Sequence, residues 1–374
     1  MGFIPVNEPL LNGNEKKYLC ECIDTGWISS EGSFVREFEE KMSKYVGRQY
    51  GVAVTNGTAA LEIAVRAIGI KEGDEVIMPT FTIISCAMAV TKLGGIPVLV
   101  DSDIHTWNMN VEEIEKKITN RTKAIMIVHL YGLPVEADKI LELARQYKLK
   151  VIEDAAEMHG QKYKDRLCGS LGDISIFSFY PNKHVTTGEG GMIVTDDEEL
   201  ARKCQSFRNL CFQKEIRYVH EELSSNYRFT NLQAAIGLAQ LERLEEFIER
   251  KRKMGKYYNE HFQGIERVSL PVEKTDYAEN IYWVYGMVLD KNIKATNQEV
   301  QKMLTAEGIG SRTFFWCMHE QPVYKKEGLF KSEKYENAEY LARKGFYIPS
   351  GLALTEEQME EVVGKVKKVL QQIR

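Results

Sequence analysis

The chain has 374 residues, of which 44% are hydrophobic and 28% are charged, and its formal net charge is -5. This composition is typical of a soluble globular protein with room for two domains, and the charge argues against a nucleic-acid-binding surface. The seven cysteines show no paired spacing, which favours reduced thiols over a disulfide framework or a zinc site. The sequence has no signal-peptide pattern and no apolar run of membrane-spanning length, so we predict a cytoplasmic protein without a membrane partner.

Strand and helix patterns alternate along the first two thirds of the chain. Helical patterns at 14–25 and 34–45 come first, and a polar loop with Trp27 and Ser29 separates them. Strand-helix repetition then predicts an α/β fold with a mostly parallel seven-stranded sheet and helices on both faces. The last two strands are joined by too few residues for a crossover, so we expect them to be antiparallel. The predicted strands are 51–54, 75–78, 97–100, 124–129, 151–153, 174–179 and 192–195, and helices are predicted at 59–68, 111–118 and 137–147.

A change of composition marks the last third of the chain. A long amphipathic helix is predicted from residue 231 to about 253, and a linker at 256–263. We therefore predict a large domain, residues 1–255, and a smaller C-terminal α+β domain, residues 256–374. The smaller domain is predicted to contain strands at 282–289 and 311–315, a helix at 297–307 and two closing helices, the last at 355–373.

A glycine-containing turn follows the first predicted strand. Gly57, Thr58 and Ala59 lie where a new helix begins, and a helix N-terminus offers unpaired N–H groups and a positive dipole end to an anion. This pattern indicates a phosphate site. A plain strand-to-helix turn with Thr58 as its N-cap would produce the same residues.

A carboxylate and an aromatic ring follow two other strands, at the sheet edge where ligands bind in this type of fold. Asp154 ends the strand 151–153, and the two alanines after it leave room for a flat group. Phe81 ends the second strand and would stack on such a group. Taken singly, Asp154 would serve as a turn cap and Phe81 as a core residue. No histidine or cysteine spacing in the chain suggests a metal.

The most informative residue is Lys183, in the polar turn between the last two predicted strands. Burying an ammonium is costly, and burial lowers the pKa of a lysine so that its amine becomes nucleophilic. Such a lysine forms a Schiff base with a carbonyl compound. Pyridoxal phosphate is the commonest carbonyl cofactor of this type. A surface hairpin with a solvated lysine is the simpler interpretation of the turn alone.

These segments occur together in one chain order, at 56–60, 79–82, 153–157, 178–183, 186–191 and 226–228. The set resembles the DegT-type sugar-nucleotide aminotransferases, pyridoxal phosphate enzymes of fold type I, over essentially the whole chain. Within that family, segments 27–30, 128–132 and 314–319 resemble the perosamine synthases. The sequence departs from this subgroup at Pro181 and at Trp316 and Cys317. These differences concern the identity of the sugar substrate more than the type of reaction.

The resemblance implies pyridoxal 5'-phosphate as cofactor, with pyridoxamine 5'-phosphate as its intermediate form. It implies that Lys183 is the Schiff-base lysine and proton carrier, that Asp154 holds the pyridine nitrogen, and that Phe81 stacks on the ring. Glu157 is implied to reach the ring hydroxyl or to support the lysine. The implied phosphate contacts are Gly57, Thr58, Ala59, Ser178 and, from a second subunit, Asn226. The implied substrate contacts are Trp27, Ser29, Arg312 and His319.

The implied reaction moves the amino group of glutamate to C4 of GDP-4-keto-6-deoxymannose in lipopolysaccharide biosynthesis, releasing 2-oxoglutarate. The implied assembly is a homodimer with shared active sites, and a nucleotide sugar is the implied partner. Three alternatives stay open: a UDP- or dTDP-linked 4-keto sugar, a sugar dehydratase of the same family, and a non-catalytic regulator. In the dehydratases a histidine replaces the lysine, and here His184 is adjacent to that position.

Overall fold

The computed structural model describes residues 2–213, 216 and 218–373. Its strands are β1 (Tyr50–Val54), β2 (Glu75–Pro79), β3 (Ile96–Val100), β4 (Thr122–Val128), β5 (Lys150–Asp154), β6 (Lys162–Tyr163), β7 (Arg166–Leu167), β8 (Ile174–Ser178), β9 (Gly191–Thr195), β10 (Val268–Ser269), β11 (Tyr285–Leu289), β12 (Arg312–Thr313) and β13 (Gly345–Ile348). Its α-helices are α1 (Glu15–Thr25), α2 (Ser33–Tyr45), α3 (Gly57–Ala67), α4 (Ser85–Thr91), α5 (Ile114–Lys117), α6 (Ala137–Tyr147), α7 (Glu198–Arg208), α8 (Asn231–Leu241), α9 (Leu244–Phe262), α10 (Asn297–Ala306), α11 (Pro322–Lys326), α12 (Glu336–Lys344) and α13 (Glu356–Gln372).

The large sheet has the strand order β1-β9-β8-β5-β4-β2-β3, which confirms the predicted seven strands. Strand β9 runs antiparallel to both β1 and β8, as predicted for the last two strands, and the other neighbours are parallel. The carboxyl ends of β1, β5 and β8 therefore meet at one edge of the sheet. The turns after these three strands contain most of the predicted site residues.

Strand β4 illustrates how the sheet is covered on both faces. Its successive side chains point to opposite sides, so that Met126 packs in the same apolar cluster as α3, while Ile125 and Ile127 pack in the cluster of α6. A strand that is buried on both faces has a continuous run of apolar residues in its sequence, and the parallel strands of this sheet show that pattern.

The last third of the chain forms a second, antiparallel sheet in the order β10-β11-β13-β12. Strands β11 and β12 and helices α10 and α13 correspond to the predicted elements. The two-residue β10 and the four-residue β13 were not predicted, because such short strands are defined by their pairing with β11 more than by a sequence period.

The prediction of one helix followed by a linker was wrong. Residues 231–253 lie in two helices, α8 and α9, and the expected linker at 256–263 is mostly the last turns of α9. Met254, Tyr258 and Phe262 recur at four-residue intervals and are all buried, so an apolar helical stripe continues through the supposed linker. The division of the chain at residue 255 stays a prediction, and that residue lies within α9.

Helix α9 contacts two apolar clusters. Leu244 and Ile248 pack with α2 and α8 beside the large sheet, whereas Met254, Tyr258 and Phe262 pack with α13 and the small sheet. All seven cysteines are free thiols. Among the described residues, helices that combine the length and apolarity needed to cross a membrane are absent.

Candidate active site

A cavity of about 680 Å³ opens at the carboxyl edge of the large sheet. Its walls come from the turns after β1, β5 and β8 and from three segments of the last third of the chain. Seven residues predicted from the sequence line it: Gly57, Thr58, Ala59, Asp154, Glu157, Ser178 and Lys183.

The amine of Lys183 lies inside this cavity, and only 10% of its side chain is exposed. Burial lowers the pKa of Lys183, and the nearby carboxylates of Glu157 and Asp154 partly offset this effect. The nearest oxygen of Glu157 is 3.9 Å from the Lys183 nitrogen, too far for a hydrogen bond. The amine also lies 3.8 Å from the centre of the Trp283 ring. The predicted buried lysine is therefore present, and the solvated hairpin is excluded.

Two buried carboxyl groups lie at the end of β5 and just after it. Asp154 accepts hydrogen bonds from the Ala156 amide at 3.0 Å and from the Cys86 thiol at 3.4 Å, and burial raises its pKa. Glu157 accepts a 2.6 Å hydrogen bond from the Tyr131 amide, and burial raises its pKa to about 8. These two groups give the floor of the cavity a pair of acids beside one amine.

The turn between β1 and α3 has the geometry of an anion cradle. Helix α3 begins at Gly57, and Asn56 caps it by accepting a 2.8 Å hydrogen bond from the Ala59 amide. The N-cap is thus Asn56 and not Thr58, whose hydroxyl lies 2.9 Å from that of Ser85. A Cβ on residue 57 would come within 2.8 Å of the Ser178 side chain, so glycine lets the two turns approach closely.

Phe81, which was predicted to stack on a bound ring, does not line the cavity. Its side chain is fully buried and packs against Tyr131, Phe314 and Phe315. Ile83, two residues later, lines the cavity instead. Phe81 also pairs with Cys317 in an isolated antiparallel β-bridge.

His319 and Arg312 are also absent from the cavity wall. His319 is buried and lies 2.8 Å from the Thr80 hydroxyl and 3.1 Å from the Glu339 carboxylate, so its ring nitrogens are already engaged. The structure therefore places His319 outside the cavity wall, and its contact with substrate stays a prediction. Arg312 is exposed on β12, and its guanidinium donates to the Ser311 carbonyl.

Trp27, Ser29 and Asn226 are predicted contacts that lie on the surface of this chain, outside the cavity. The ring of Trp27 is largely exposed between α1 and α2. Asn226 is exposed too, and its side-chain oxygen accepts a hydrogen bond from the Arg228 amide.

Sequence reasoning missed the aromatic wall that the last third of the chain contributes. Trp283, Phe315 and Tyr347 line the cavity opposite the turns of the large sheet. Trp283 lies almost parallel to Tyr131, and its indole N–H donates a 2.8 Å hydrogen bond to the Asn182 carbonyl. Trp283 and Tyr347 stand in ordinary apolar runs, and Phe315 lies in segment 314–319, which the resemblance included without giving this residue a role.

The sequence model of the DegT/DnrJ/EryC1/StrS aminotransferase family matches residues 9–367 of this chain. The chain belongs to this family. It is accordingly a pyridoxal-phosphate-dependent transaminase of the sugar aminotransferase type.

Relatives in the DegT/DnrJ/EryC1/StrS family cover nearly the full length of the chain. GDP-perosamine synthase of Escherichia coli O157:H7 is 43% identical over 96% of both chains, and that of Caulobacter vibrioides is 43% identical over 98% of both. The crystal structure of DesV from S. venezuelae, 29% identical, covers both chains fully with a TM-score of 0.91.

The donor set of the cavity fits the cofactor of this family. The buried amine suits an aldehyde, and the carboxyl group at the end of a central strand suits a pyridine nitrogen. The helix N-terminus, which is flanked by hydroxyls, suits a phosphate. Lys183, Asp154 and Thr58 are the members of that set on the three turns of the large sheet.

Proposed function

We propose that this protein transfers the amino group of glutamate to C4 of GDP-4-keto-6-deoxymannose, giving GDP-perosamine. The similarity to GDP-perosamine synthases at 36–43% identity over at least 96% of the chain carries this assignment. The buried amine in a cavity large enough for a cofactor supports the reaction type. A UDP- or dTDP-linked 4-keto sugar is the competing substrate class.

In this proposal Lys183 holds the cofactor and then carries the proton. Its lowered pKa favours the neutral amine, which accepts a proton from the reacting carbon. When bound, pyridoxal phosphate supplies the electron sink that stabilises the charge left on that carbon. Lys183 afterwards returns the proton at the neighbouring carbon.

Asp154 and Glu157 would each hold one polar group of the ring in this scheme. Asp154 would keep the pyridine nitrogen protonated, and the positive charge of that nitrogen offsets the burial of its carboxylate. Glu157 is fixed by the Tyr131 amide and would reach the ring hydroxyl. Its raised pKa leaves it protonated near neutral pH, so that it can donate a hydrogen bond there.

The phosphate is assigned to the start of α3. The amides of Gly57 and Thr58, together with the hydroxyls of Thr58 and Ser178, would bind it at the positive end of the helix, whereas the Ala59 amide already donates to Asn56. Asn226 of the partner subunit would complete this cradle in a homodimer. The exposure of Asn226 and its place outside its own cavity support a contact in trans.

The position of His184 disfavours the dehydratase alternative. His184 is fully buried near Lys251 and does not line the cavity, whereas Lys183 does. A histidine that took over the role of the lysine would have to reach the cavity from that position. The geometry thus supports a lysine-dependent transamination.

The assignment is tested by offering glutamate with a panel of GDP-, UDP- and dTDP-linked 4-keto-6-deoxy sugars and measuring 2-oxoglutarate. We expect the highest kcat/KM for GDP-4-keto-6-deoxymannose. A preference for a UDP- or dTDP-linked sugar would contradict the assigned substrate and leave the aminotransferase intact. Consumption of sugar without release of 2-oxoglutarate would contradict the transamination.

A further inference from the structure

A second lysine is buried close to the cavity, and the proposed reaction does not use it. Lys251 lies in the middle of α9 with 3% of its surface exposed. Its ammonium donates hydrogen bonds to the backbone carbonyls of Trp283, at 2.8 Å, and of Ser350. Burial lowers the pKa of Lys251 to about 7. Among the described residues no acidic partner forms a salt bridge with it.

This arrangement is costly, and the cost calls for a function. A buried ammonium without a carboxylate loses its hydration and gains only two carbonyl contacts. An apolar residue of similar length, such as methionine, would fill the same space in the packing of α9 at a lower free-energy cost. What Lys251 adds is a fixed position for the two carbonyl groups that it holds.

One of those carbonyls belongs to the residue that covers the reactive amine. The Trp283 indole is anchored at its N–H by the Asn182 carbonyl, 2.8 Å away, and its ring centre lies 3.8 Å from the Lys183 nitrogen. The Trp283 backbone is anchored by Lys251. Three separate segments, α9, the residues before β11 and the turn after β8, therefore meet at this one tryptophan.

We propose that Lys251 is a positioning residue of the active site, which fixes the backbone of Trp283 and thereby holds the indole over the Lys183 amine. The face of an indole attracts a cation, so the ring stabilises the protonated form of Lys183. The inference rests on the proposed role of Lys183 as the reactive amine.

The test measures the titration of Lys183 in the full chain before the cofactor is added. Trace labelling with acetic anhydride across a pH series, read by mass spectrometry at Lys183, gives the midpoint at which this amine becomes reactive. Asp154, Glu157, His159 and His184 also face Lys183, and they are unchanged in every variant compared. Because no sugar is present, a negative result here would leave the assigned substrate untouched.

Trp283→Leu is expected to lower the Lys183 midpoint by about half a pH unit or more, since the cation loses the ring. Lys251→Met is expected to lower it in the same direction, by an equal or smaller amount. The sign is diagnostic, because removal of a nearby positive charge would by itself raise the midpoint. The double variant should shift no further than Trp283→Leu alone, since both changes act through one ring.

Lys253→Met is the matched control, because Lys253 is two residues away on α9 and exposed, with Glu249 as its partner. It should leave the midpoint in place. An unchanged or raised midpoint in Lys251→Met, or shifts that add in the double variant, would overturn the proposal. If Lys251→Met does not fold, Lys251→Gln, which keeps an amide donor without the charge, is judged by the same direction and the same non-additivity.

Discussion

At the scale of single residues, Glu157 shows how burial of a carboxyl group makes the stability of the fold depend on pH. Its pKa is raised to about 8 in the folded protein, whereas the unfolded chain releases this proton near pH 4.5. Between these values the folded state retains a proton that the unfolded state has lost. The free energy of unfolding therefore decreases as the pH rises through this window, and the decrease ends above about pH 8.

Glu157→Gln should remove this dependence. We expect the variant to gain stability relative to the wild type, on the order of a few kcal/mol, between pH 5 and pH 8. Urea unfolding of the cofactor-free protein at several pH values measures the difference. Glu249→Gln, at an exposed position of α9, serves as control and should follow the wild type. Parallel curves for Glu157→Gln and the wild type would contradict the raised pKa.

Residue type and position predicted the acid-base groups better than the aromatic ones. Lys183 and Asp154 were assigned to one site because their segments match the family pattern, and a charged residue at the end of an apolar strand is costly to bury unless a ligand or an opposite charge compensates it. Phe81 and Trp283 are apolar, and an apolar residue fits the core and a cavity wall equally well. The structure assigns Phe81 to the core and Trp283 to the wall, a distinction that depends on tertiary packing.

At the scale of elements, the start of α3 depends on close contact between two turns. Gly57→Ala would bring a methyl group within 2.8 Å of the Ser178 side chain and push the helix N-terminus away from it. We expect cofactor affinity to fall by about tenfold or more, on the order of 1.4 kcal/mol, when pyridoxal phosphate is titrated into the cofactor-free protein.

The control for this change is Gly364→Ala in α13, where the added methyl group meets open space. It should leave cofactor affinity unchanged and stabilise the helix by about 0.5–1 kcal/mol, seen as a higher unfolding temperature. An unchanged affinity in Gly57→Ala would mean that the start of α3 does not bind the phosphate.

Sequence periodicity recovered the elements of the large sheet and failed at α9. Each parallel strand is an apolar run bounded by turn residues, so its position could be predicted to within about two residues. In α9 the change of composition after residue 253 suggested a linker where the helix in fact continues. The four-residue spacing of Met254, Tyr258 and Phe262 continues the helical period and therefore indicates that the helix extends through these residues.

At the scale of the whole molecule, the proposed homodimer makes each site depend on two chains. Lys183→Ala should abolish transamination, since it removes the proton carrier. Asn226→Asp should weaken cofactor binding, because it places a carboxylate beside a phosphate dianion. When the two variants are mixed and exchange subunits, one site of each hybrid contains both native residues, so activity should reappear.

The control is each variant subjected to the same exchange with itself, which should restore nothing. If Asn226 acted within its own chain, every site of the hybrid would keep one defect and mixing would have no effect. That result would rule out the shared site.

Helix α9 also sets a limit on how the molecule can open. Its 19 residues span about 28 Å as one stiff rod that is anchored in two apolar clusters. Bending at residue 255 would break backbone hydrogen bonds in the middle of this rod. Any movement of the small sheet relative to the large one would therefore have to be accommodated beyond the ends of this rod, near Arg243 or near Gly264, where φ is already +81°.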